Sequence, residues 1–318
     1  MRVVPKIVVV GTGQIGTRHL QSLAKADWAK ELWAIDSRRD AAVLLETRLA
    51  EVAVGELTPV KFSTNMDSLP RLIDVAIIAT DSMSRLQVLD ELLASYEIKF
   101  VILEKFLFPR FKEYHHAEKR LAEKSVTAFV NCPRRVFAAY RAIKQEVKAP
   151  LHLQVTGSNW GLACNSVHWL DLLNFFVPSD DYKKSSELLG PYQAKRNGYV
   201  EFFGSIEITD SSGNHVVLTC VNGNSLQFSI NIEDALGRSW QVSEQLGQIM
   251  IDGCCKQFHL PPQSELTAGI VQKLLDEQEC SLTPFGTAAR LHQILLDEFL
   301  AKYNAATGLH QNDMCPIT

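Results

Sequence analysis

Three glycines and an acid near the N-terminus have the residue types and the spacing of a dinucleotide-phosphate site. Gly11, Gly13 and Gly16 follow the apolar stretch KIVVV. In such a loop the first glycine permits a tight turn, the second lets a diphosphate approach the backbone, and the third allows close helix–strand packing. The helix that follows directs free N–H groups at the phosphates. Asp36 ends the next apolar stretch, twenty residues beyond Gly16, and suits the ribose hydroxyls of a dinucleotide.

The residues after Asp36 leave two dinucleotides open. A carboxylate at this position accepts hydrogen bonds from the ribose hydroxyls and repels a 2′-phosphate, which favours NAD. Arg38 or Arg39 could instead bind the 2′-phosphate of NADP or stack on adenine. Both arginines are also compatible with a solvated helix start. We therefore predict NAD as the cofactor and keep NADP as the alternative.

Further cofactor contacts are predicted in the loop and at the end of a later strand. Gln14 and Ile15 lie between the second and third glycines. Thr80 and Ser82 follow the apolar stretch VAIIA, and residues at the carboxyl end of a central parallel strand face the ligand crevice. The alternative role for Thr80 and Ser82 is to cap the helix that follows.

A glutamate and a lysine follow another apolar strand pattern. Glu104 and Lys105 come directly after residues 100–103, FVIL, so they are expected at the same carboxyl edge as the glycine loop. Lys105 could therefore reach the nicotinamide end of a cofactor, and Glu104 is predicted beside it at the cofactor edge. An exposed lysine next to a glutamate is the ordinary alternative. Position alone does not decide between a surface pair and a site.

A histidine and an acid lie in a helix pattern that is apolar nearly all round. His168 and Asp171 are three residues apart in VHWLDLLNFF, which predicts neighbouring side chains on a buried helix that starts at Asn165 or Ser166. A buried histidine beside an acid can act as a general base. The alternative is a core histidine bonded to Asp171 or to a backbone carbonyl.

Two adjacent arginines are candidates for binding an anionic substrate group. Arg134 and Arg135 follow the sixth predicted strand. A guanidinium there could clamp a carboxylate or a phosphate. A structural ion pair that links two domains explains the same residues equally well.

The elements that carry these residues predict an α/β protein with two domains. Through about residue 125, short apolar strands alternate with helix patterns, which is typical of a parallel sheet covered on both faces. From residue 199 to 252, strand-like stretches are separated by polar turns such as DSSGN and NGN, which indicates an antiparallel meander. We predict a doubly wound dinucleotide-binding domain over residues 1–124. We predict a substrate-binding and oligomerisation domain with an open, mainly antiparallel sheet over residues 125–318.

Composition argues against several other classes of protein. The chain has 318 residues, of which 46% are hydrophobic and 21% charged, and its net charge of −4 is mixed in sign along the chain, so we expect no nucleic-acid partner. No stretch reaches the roughly 18 apolar residues that a membrane span needs, and the N-terminus lacks a secretory pattern. Seven cysteines without zinc-ligand spacing predict reduced thiols, a cytoplasmic location and no bound metal.

Three of these motifs, in this order, resemble the Gfo/Idh/MocA family of nicotinamide-dependent oxidoreductases. GTGQIGTRHLQSL is similar to the family's GxGxxGxxHxxxL, EKF stands where the family has Glu-Lys-Pro, and VHWLDLL is similar to its GxHxxDLL helix. The resemblance extends along nearly the whole chain. It implies a Rossmann domain followed by an α/β domain whose open sheet often forms subunit interfaces. It also implies that Lys105 and His168 are catalytic, and that the substrate is a sugar, a sugar derivative, a cyclitol or a nucleotide sugar.

Two positions depart from the family's pattern. Phe106 replaces the proline of Glu-Lys-Pro, which argues against the cis peptide often found there, because a non-proline cis bond costs about 2.5–4 kcal/mol. Cys164 stands where many dehydrogenases of the family have an aspartate beside the reacting hydroxyl, and a thiol is a weak hydrogen-bonding group. Asn159, Trp160 or Asn165 could then supply the substrate contacts.

These residues predict a dehydrogenase or reductase that acts on a hydroxyl or carbonyl carbon. Lys105 would donate a hydrogen bond to the reacting oxygen, His168 would exchange its proton, and Glu104 would orient Lys105. The predicted assembly is a homodimer or homotetramer through the second sheet. The predicted substrate contacts are Arg135, Trp160, Cys164, Asn165 and Asp171.

Two alternative functions stay open at this point. A regulatory protein of the same fold would bind cofactor and ligand without turnover, and Cys164 in place of the usual acid makes this possible. The retained Lys105 and His168 argue against it, since a sensor need not keep both. A biliverdin-reductase-like enzyme or an amino-acid dehydrogenase shares the glycine loop, but it would not predict both the Glu-Lys and the His-x-x-Asp motifs.

Overall fold

The computed structural model describes residues 4–52, 56–309 and 313–318. Its strands, in chain order, are β1 Lys6–Val10, β2 Glu31–Ile35, β3 Val60–Ser63, β4 Leu72–Ile78, β5 Glu97–Leu103, β6 Thr127–Val130, β7 Leu151–Ser158, β8 Tyr182–Gln193, β9 Val200–Asp210, β10 His215–Val221, β11 Ser229–Asp234, β12 Ser239–Ser243, β13 Gln248–Ile251, β14 Cys254–Gln257 and β15 Thr283–Pro284.

The helices alternate with the early strands and return near the end of the chain. They are α1 Gln14–Lys25, α2 Ala41–Ala50, α3 Ser82–Ser95, α4 Phe111–Glu123, α5 Ala138–Glu146, α6 Leu162–Phe176, α7 Gln263–Glu277 and α8 Phe285–Thr307. A 3₁₀ turn covers Pro133–Val136. Across the described ranges, none of these helices combines the length and the apolar character that crossing a bilayer requires.

The chain folds into two compact units. The first comprises Met1–Phe108, Lys112–Asn131 and Pro261–Gly286, and the second comprises Pro109–Phe111, Cys132–Leu260 and Thr287–Thr318. The predicted domains, residues 1–124 and 125–318, differ from these units, because residues 125–131 and 261–286 belong to the first unit. The difference arises because β6 pairs in parallel with β5 and because α7 packs on α1, so that later residues complete the first unit.

The first unit contains a doubly wound, mainly parallel sheet, as predicted. Within the described residues its strand order is β15-β6-β5-β4-β1-β2-β3, and β15 runs antiparallel to β6. β1 lies between β2 and β4 and is parallel to both. Ile7, Val8 and Val9 are all fully buried, and because successive side chains of a strand point to opposite faces, both faces of β1 must be covered.

This topology brings the predicted cofactor residues to one edge of the sheet. Gly11 follows β1, Asp36 follows β2, Thr80 lies just beyond β4 and Glu104 follows β5, each at the carboxyl end of a parallel strand. The strand order reverses at β1, since β2 leads to one side and β4 to the other. Open α/β sheets bind ligands in the crevice at such a switch point.

The second unit contains an open, mainly antiparallel sheet, which also agrees with the prediction. Its strand order within the described residues is β14-β13-β12-β11-β7-β10-β9-β8, and β7 is parallel to β10 while the other pairs are antiparallel. Burial alternates along β10, where Val216, Leu218 and Cys220 are fully buried and the residues between them are half-buried. The apolar helix α6 contacts β7, β9 and β10, so this helix covers part of the sheet.

Candidate functional site

The three glycines have three different physical requirements. Gly11 has a φ of +89°, and a Cβ there would lie 2.8 Å from the backbone of Thr80. A Cβ on Gly16 would lie 1.8 Å from the carbonyl oxygen of Gly11, so only glycine lets α1 start this close to β1. Gly13 is different, because nothing lies within 4 Å of its Cβ position. The open space beside Gly13, at the start of α1, fits the diphosphate of a dinucleotide.

Asp36 is held by its neighbours at the end of β2. Oδ2 accepts hydrogen bonds from Thr12 N–H at 2.9 Å and from Arg38 Nη2 at 3.1 Å. Oδ1 accepts from the backbone N–H of Arg38 at 3.0 Å and from its Nε at 3.1 Å. Burial raises the pKa of Asp36, but the hydrogen bonds and charge of Arg38 and the Thr12 N–H outweigh burial and hold that pKa below its usual value.

This geometry sharpens the choice between NAD and NADP. A carboxylate has about four lone-pair positions, and here Thr12 and Arg38 use all four. Ribose hydroxyls can therefore reach Asp36 only if the guanidinium of Arg38 moves away. The side chain of Arg38 is 59% exposed, so few packing contacts oppose such a movement. A guanidinium released from this carboxylate could bind the 2′-phosphate of NADP.

Replacing Asp36 with serine is expected to weaken NAD binding by about 10- to 100-fold, the usual loss for hydrogen bonds to a charged group. The same change should strengthen NADP binding, because it removes a repulsive charge and releases Arg38. Titration of both dinucleotides by calorimetry checks this. Adding Arg38→Ala to the serine variant should abolish the gain for NADP. Unchanged NAD affinity in Asp36→Ser would show that this carboxylate does not bind the ribose.

The other predicted cofactor residues occupy different environments. Gln14 accepts a hydrogen bond from Arg48 Nη2 at 2.8 Å, and Ile15 is half-buried. The capping role considered for Thr80 and Ser82 is wrong, because Asp81 caps α3 by accepting from the N–H of residue 84 at 3.0 Å. Ser82 is fully buried. The hydroxyl oxygen of Thr80 is buried and has no hydrogen-bond partner among the described residues, which fits a contact with a bound cofactor.

Glu104 is buried in a polar network of the first unit. Its Oε1 accepts a hydrogen bond from the Asn131 amide and lies 3.0 Å from Nε2 of His19. Burial raises the pKa of Glu104, but the contacts with His19 and Asn131 and the charge of Lys105 outweigh it, so that pKa lies below its usual value. Glu104 is therefore an anion fixed on the chain beside Lys105. Its place as a direct cofactor contact stays a prediction.

The network continues from His19 to α7. Nδ1 of His19 lies 2.8 Å from the hydroxyl of Thr267, and that hydroxyl accepts a hydrogen bond from Gln263 Nε2 at 2.9 Å. Both ring nitrogens of His19 thus have a polar partner, Thr267 on one side and Glu104 on the other. These contacts connect α1, the helix that follows the glycine loop, to Glu104, the acid that precedes Lys105. His19 is 1% exposed, so water does not compete for these contacts.

The peptide after Lys105 differs from the prediction. The Lys105–Phe106 bond is cis, although proline is absent, so the expectation of a trans bond is wrong. Around it, the guanidinium of Arg85 donates to the carbonyl oxygens of Thr80, Phe106 and Leu107, the last at 2.9 Å. Arg85 is 1% exposed, which makes it a buried cation that satisfies three backbone acceptors. Lys105 itself is half-buried.

In the second unit, α6 begins earlier than the sequence predicts. Asn165 and Ser166 do not start it, because the helix begins at Leu162. A carboxylate from β9 explains the earlier start: Glu201 accepts hydrogen bonds from the N–H groups of Ala163 at 2.8 Å and Cys164 at 3.0 Å. Helix N-termini are stabilised by such acceptors. A carboxylate therefore lies beside position 164, supplied by a strand rather than by the helix.

His168 on α6 lines a cavity of the second unit. The cavity has a volume of about 290 Å³, and its walls are Arg134, Trp160, Asn165, His168, Trp169 and Phe228. Phe228 contacts both indole rings, with centroids 6.3 Å from Trp160 and 5.9 Å from Trp169. His168 is half-buried, which favours a site residue over the core histidine considered as the alternative. Aromatic walls with a few polar groups are typical of small-molecule pockets.

Both candidate anion-binding arginines are paired inside the second unit. Arg134 forms a bidentate ion pair with Glu244, at 2.8 Å and 2.7 Å. Arg135 binds Asp171 at 2.7 Å and Asn174 at 3.2 Å. Asp171 is fully buried in this contact, so it supports the fold around α6 rather than facing a cavity. The alternative of structural ion pairs thus describes both arginines, although each pair lies within one unit.

The remaining substrate candidates flank the cavity. Trp160 donates its indole N–H to the carbonyl oxygen of Thr219 at 2.8 Å, and Asn165 donates to the carbonyl oxygen of Trp160 at 2.7 Å. Asn159 has a φ of +52° and donates to the carbonyl oxygen of Gly223 at 2.5 Å. The thiol of Cys164 lies 3.6 Å from the carbonyl oxygen of residue 161.

Sequence reasoning missed most of the residues that hold these groups. Asn131 comes directly after β6, so the strand-end argument used for Lys105 could have found it. Gln263 joins the same network from 132 residues further along the chain. Glu201 and Glu244 meet their partners only through the second sheet. No local pattern distinguishes these three from ordinary surface residues.

Comparisons with known proteins agree with this architecture. Residues 5–132 match the family described as "Oxidoreductase family, NAD-binding Rossmann fold" (GFO_IDH_MocA). No curated protein matches the chain. UDP-N-acetylglucosamine 3-dehydrogenase from Acidithiobacillus ferrooxidans has a similar structure, with a TM-score of 0.77, 13% identity, and coverage of 94% of this chain and 98% of that one.

Two other solved structures show the same likeness. Apo scyllo-inositol dehydrogenase from Lactobacillus casei has a TM-score of 0.68 and 18% identity, and the likeness covers 92% of this chain and 94% of that one. An oxidoreductase from Agrobacterium radiobacter, solved with NAD+, L-tartaric acid and magnesium, has a TM-score of 0.71 and 13% identity, with coverage of 96% and 97%. At these identities the likeness shows a shared fold. Residues 5–132 match the NAD-binding Rossmann fold of the Gfo/Idh/MocA oxidoreductase family, which confirms the resemblance found in the sequence for that part of the chain.

Proposed function

We propose that this oxidoreductase transfers a hydride between NAD and a hydroxyl or carbonyl carbon of a sugar, a sugar derivative, a cyclitol or a nucleotide sugar. The observation that carries the proposal is the buried network around Glu104. It fixes an anion next to Lys105 at the ligand-binding edge of an NAD-binding sheet. A surface ion pair would not need a buried histidine, an amide and a second helix to hold its acid.

The protein's part in this reaction is to position the substrate and to handle a proton. When bound, the nicotinamide supplies the hydride acceptor or donor. Lys105 would donate a hydrogen bond to the reacting oxygen and so stabilise the charge that develops there. His168 would take the hydroxyl proton during oxidation and return it during reduction. That both residues act on one substrate is part of the proposal.

The cavity beside His168 supports a polyol as substrate. Trp160, Trp169 and Phe228 supply apolar faces, and Asn165 and Arg134 supply polar groups. A sugar or cyclitol ring also combines apolar C–H faces with hydroxyl groups at its rim. A volume of about 290 Å³ suits a small ligand or one ring of a larger one. Two proteins of the same fold are named as dehydrogenases of a nucleotide sugar and of an inositol, which is in keeping with this class.

The test is hydride transfer with a defined panel. The purified protein is mixed with NAD, or separately with NADP, and with D-glucose, D-galactose, myo-inositol, scyllo-inositol or UDP-N-acetylglucosamine. Formation of the reduced cofactor is followed by absorbance. We expect sustained turnover with at least one member, and reduction of the corresponding ketone in reverse. Binding of cofactor and polyol without hydride transfer in either direction would contradict the proposal and favour the regulatory alternative.

Assembly and location stay predictions. A homodimer or homotetramer through the second sheet is consistent with that sheet's open face, where His152, Gln154 and Val217 are partly or fully exposed. The cytoplasmic location follows only from composition and cysteine content.

A further inference from the structure

Arg134, which lines the cavity of the second unit, is neutralised by Glu244, which is not among the residues of the cavity wall. Nε and Nη2 of Arg134 donate to the two carboxylate oxygens of Glu244, at 2.8 Å and 2.7 Å. The hydroxyl of Tyr140 donates to the same carboxylate at 2.7 Å. One face of the guanidinium lies 3.8 Å from the ring centroid of Trp169. Only 15% of the Arg134 side chain and 19% of the Glu244 side chain are exposed, so solvent screens this pair weakly.

Arg135, the next residue along the chain, does not supply an uncompensated positive charge either. Arg135 is 12% exposed and pairs at 2.7 Å with Asp171, which is fully buried. The other cavity walls, apart from His168, are two indoles, a phenyl ring and an amide. As described, the cavity therefore offers hydrogen-bond donors and aromatic faces but no uncompensated arginine.

We propose that Glu244 is a specificity-determining residue: by neutralising Arg134, it makes this cavity select an uncharged polyol ring over the corresponding carboxylate or phosphate. An anion that enters a cavity loses hydration, and only an available cation can compensate for that loss. Arg134 is already committed to Glu244, so it can donate to a hydroxyl but cannot balance a second negative charge. Glu244 acts through Arg134 and need not touch the ligand.

The inference rests on the proposed function for one point, that the cavity beside His168 receives the substrate ring. Its own prediction concerns relative affinity and does not require turnover. The measurement is equilibrium binding by calorimetry in the presence of NADH, with three matched pairs: D-glucose and D-glucuronate, D-galactose and D-galacturonate, and myo-inositol and its 1-phosphate. Intrinsic fluorescence gives a second readout, since Trp160 and Trp169 line the cavity.

The wild-type protein should bind the neutral member of a pair at least about tenfold more tightly, which corresponds to about 1.4 kcal/mol. Glu244→Gln keeps the shape of the side chain and an acceptor for Tyr140, but it leaves the charge of Arg134 uncompensated. In this variant the preference should move towards the acid by about tenfold or more. Glu187→Gln is the matched control, because Glu187 is an exposed glutamate of β8 in the same unit. It should behave as wild type.

A double variant separates charge from damage to the fold. Arg134→Gln combined with Glu244→Gln is again neutral, so the preference for the neutral ligand should return. A general loss of structure would weaken both members of every pair and would not restore their ratio. The inference is overturned if the wild type prefers the acids, if it binds neither member of any pair, or if Glu244→Gln leaves the ratio unchanged. A ligand that binds with the expected preference but is never oxidised would count against the dehydrogenase proposal alone.

Discussion

Replacing Lys105 with methionine is expected to slow hydride transfer by about 10²- to 10³-fold, the usual cost of removing one hydrogen-bond donor that stabilises charge in the transition state. Methionine keeps most of the length of the side chain and removes the ammonium group. Affinity for NADH and thermal stability should stay close to wild type, because Glu104 is held by His19 and Asn131 independently of the lysine. The loss should appear in the chemical step, since the proposed hydrogen bond strengthens as charge develops on the reacting oxygen.

The measurement is single-turnover hydride transfer with whichever panel member the wild type oxidises. Lys99→Met is the matched control, because Lys99 lies on the same strand, β5, and its 67% exposed side chain forms a surface pair with Asp74. Such pairs contribute about 0–1 kcal/mol to stability, so this variant should be nearly silent. His168→Ala, measured in the same way, tests the proposed base. If both Lys105→Met and His168→Ala keep rates near wild type, the catalytic assignment is wrong.

The second large effect is expected at Gly16. An added Cβ would lie 1.8 Å from the carbonyl oxygen of Gly11 and 3.4 Å from the side chain of Ala79. The first of these atoms belongs to the backbone, so no side chain can rotate to make room. Gly16→Ala should therefore lower the free energy of unfolding by roughly 3 kcal/mol or more, at the upper end of the range for overpacking. Urea unfolding, with a probe of the first unit, measures this loss.

Gly13→Ala is the matched comparison, because it adds the same methyl group three residues earlier. Nothing lies within 4 Å of that Cβ position, and the φ of −72° is ordinary for alanine. Stability should be unchanged, whereas affinity for NAD should fall by at least about tenfold, or about 1.4 kcal/mol. The methyl group would occupy the space through which the diphosphate approaches the backbone. Normal NAD binding by Gly13→Ala would place the diphosphate elsewhere, and a fully stable Gly16→Ala would show that α1 can move away from β1.

Much of the framework was predictable because its causes are local in the chain. Continuous apolar strands such as KIVVV and FVIL predict a buried parallel sheet, and the glycine spacing predicts the turn that follows β1. The rule that carboxyl ends of parallel strands meet at one edge was sufficient to place Asp36, Thr80 and Lys105 together. The same rule would have included Asn131, which also follows a strand of this sheet.

Other features could not be predicted because their causes lie far away in sequence. α6 begins at Leu162, three residues before Asn165, the earlier of the two predicted starts. Glu201 on β9 stabilises this earlier start by accepting hydrogen bonds from the first turn of the helix. The Lys105–Phe106 peptide is cis in surroundings that include Arg85, a residue that reads in sequence as an ordinary helix position. α7 completes the first unit although it follows the whole second sheet, since its packing partner is α1.

By itself, the sequence determined the fold class, the NAD-binding loop, and the candidacy of Lys105 and His168. These depend on periodicity and on the spacing of neighbouring residues, which any stretch of chain displays directly. Only the tertiary structure decided which charges are available for chemistry. The sequence around Arg134 would look the same whether this arginine binds a substrate or pairs with Glu244, which lies 110 residues further along the chain. The structure shows that it pairs with Glu244. Whether a buried charge can bind a ligand depends on the groups already paired with it, and the tertiary fold determines which groups those are.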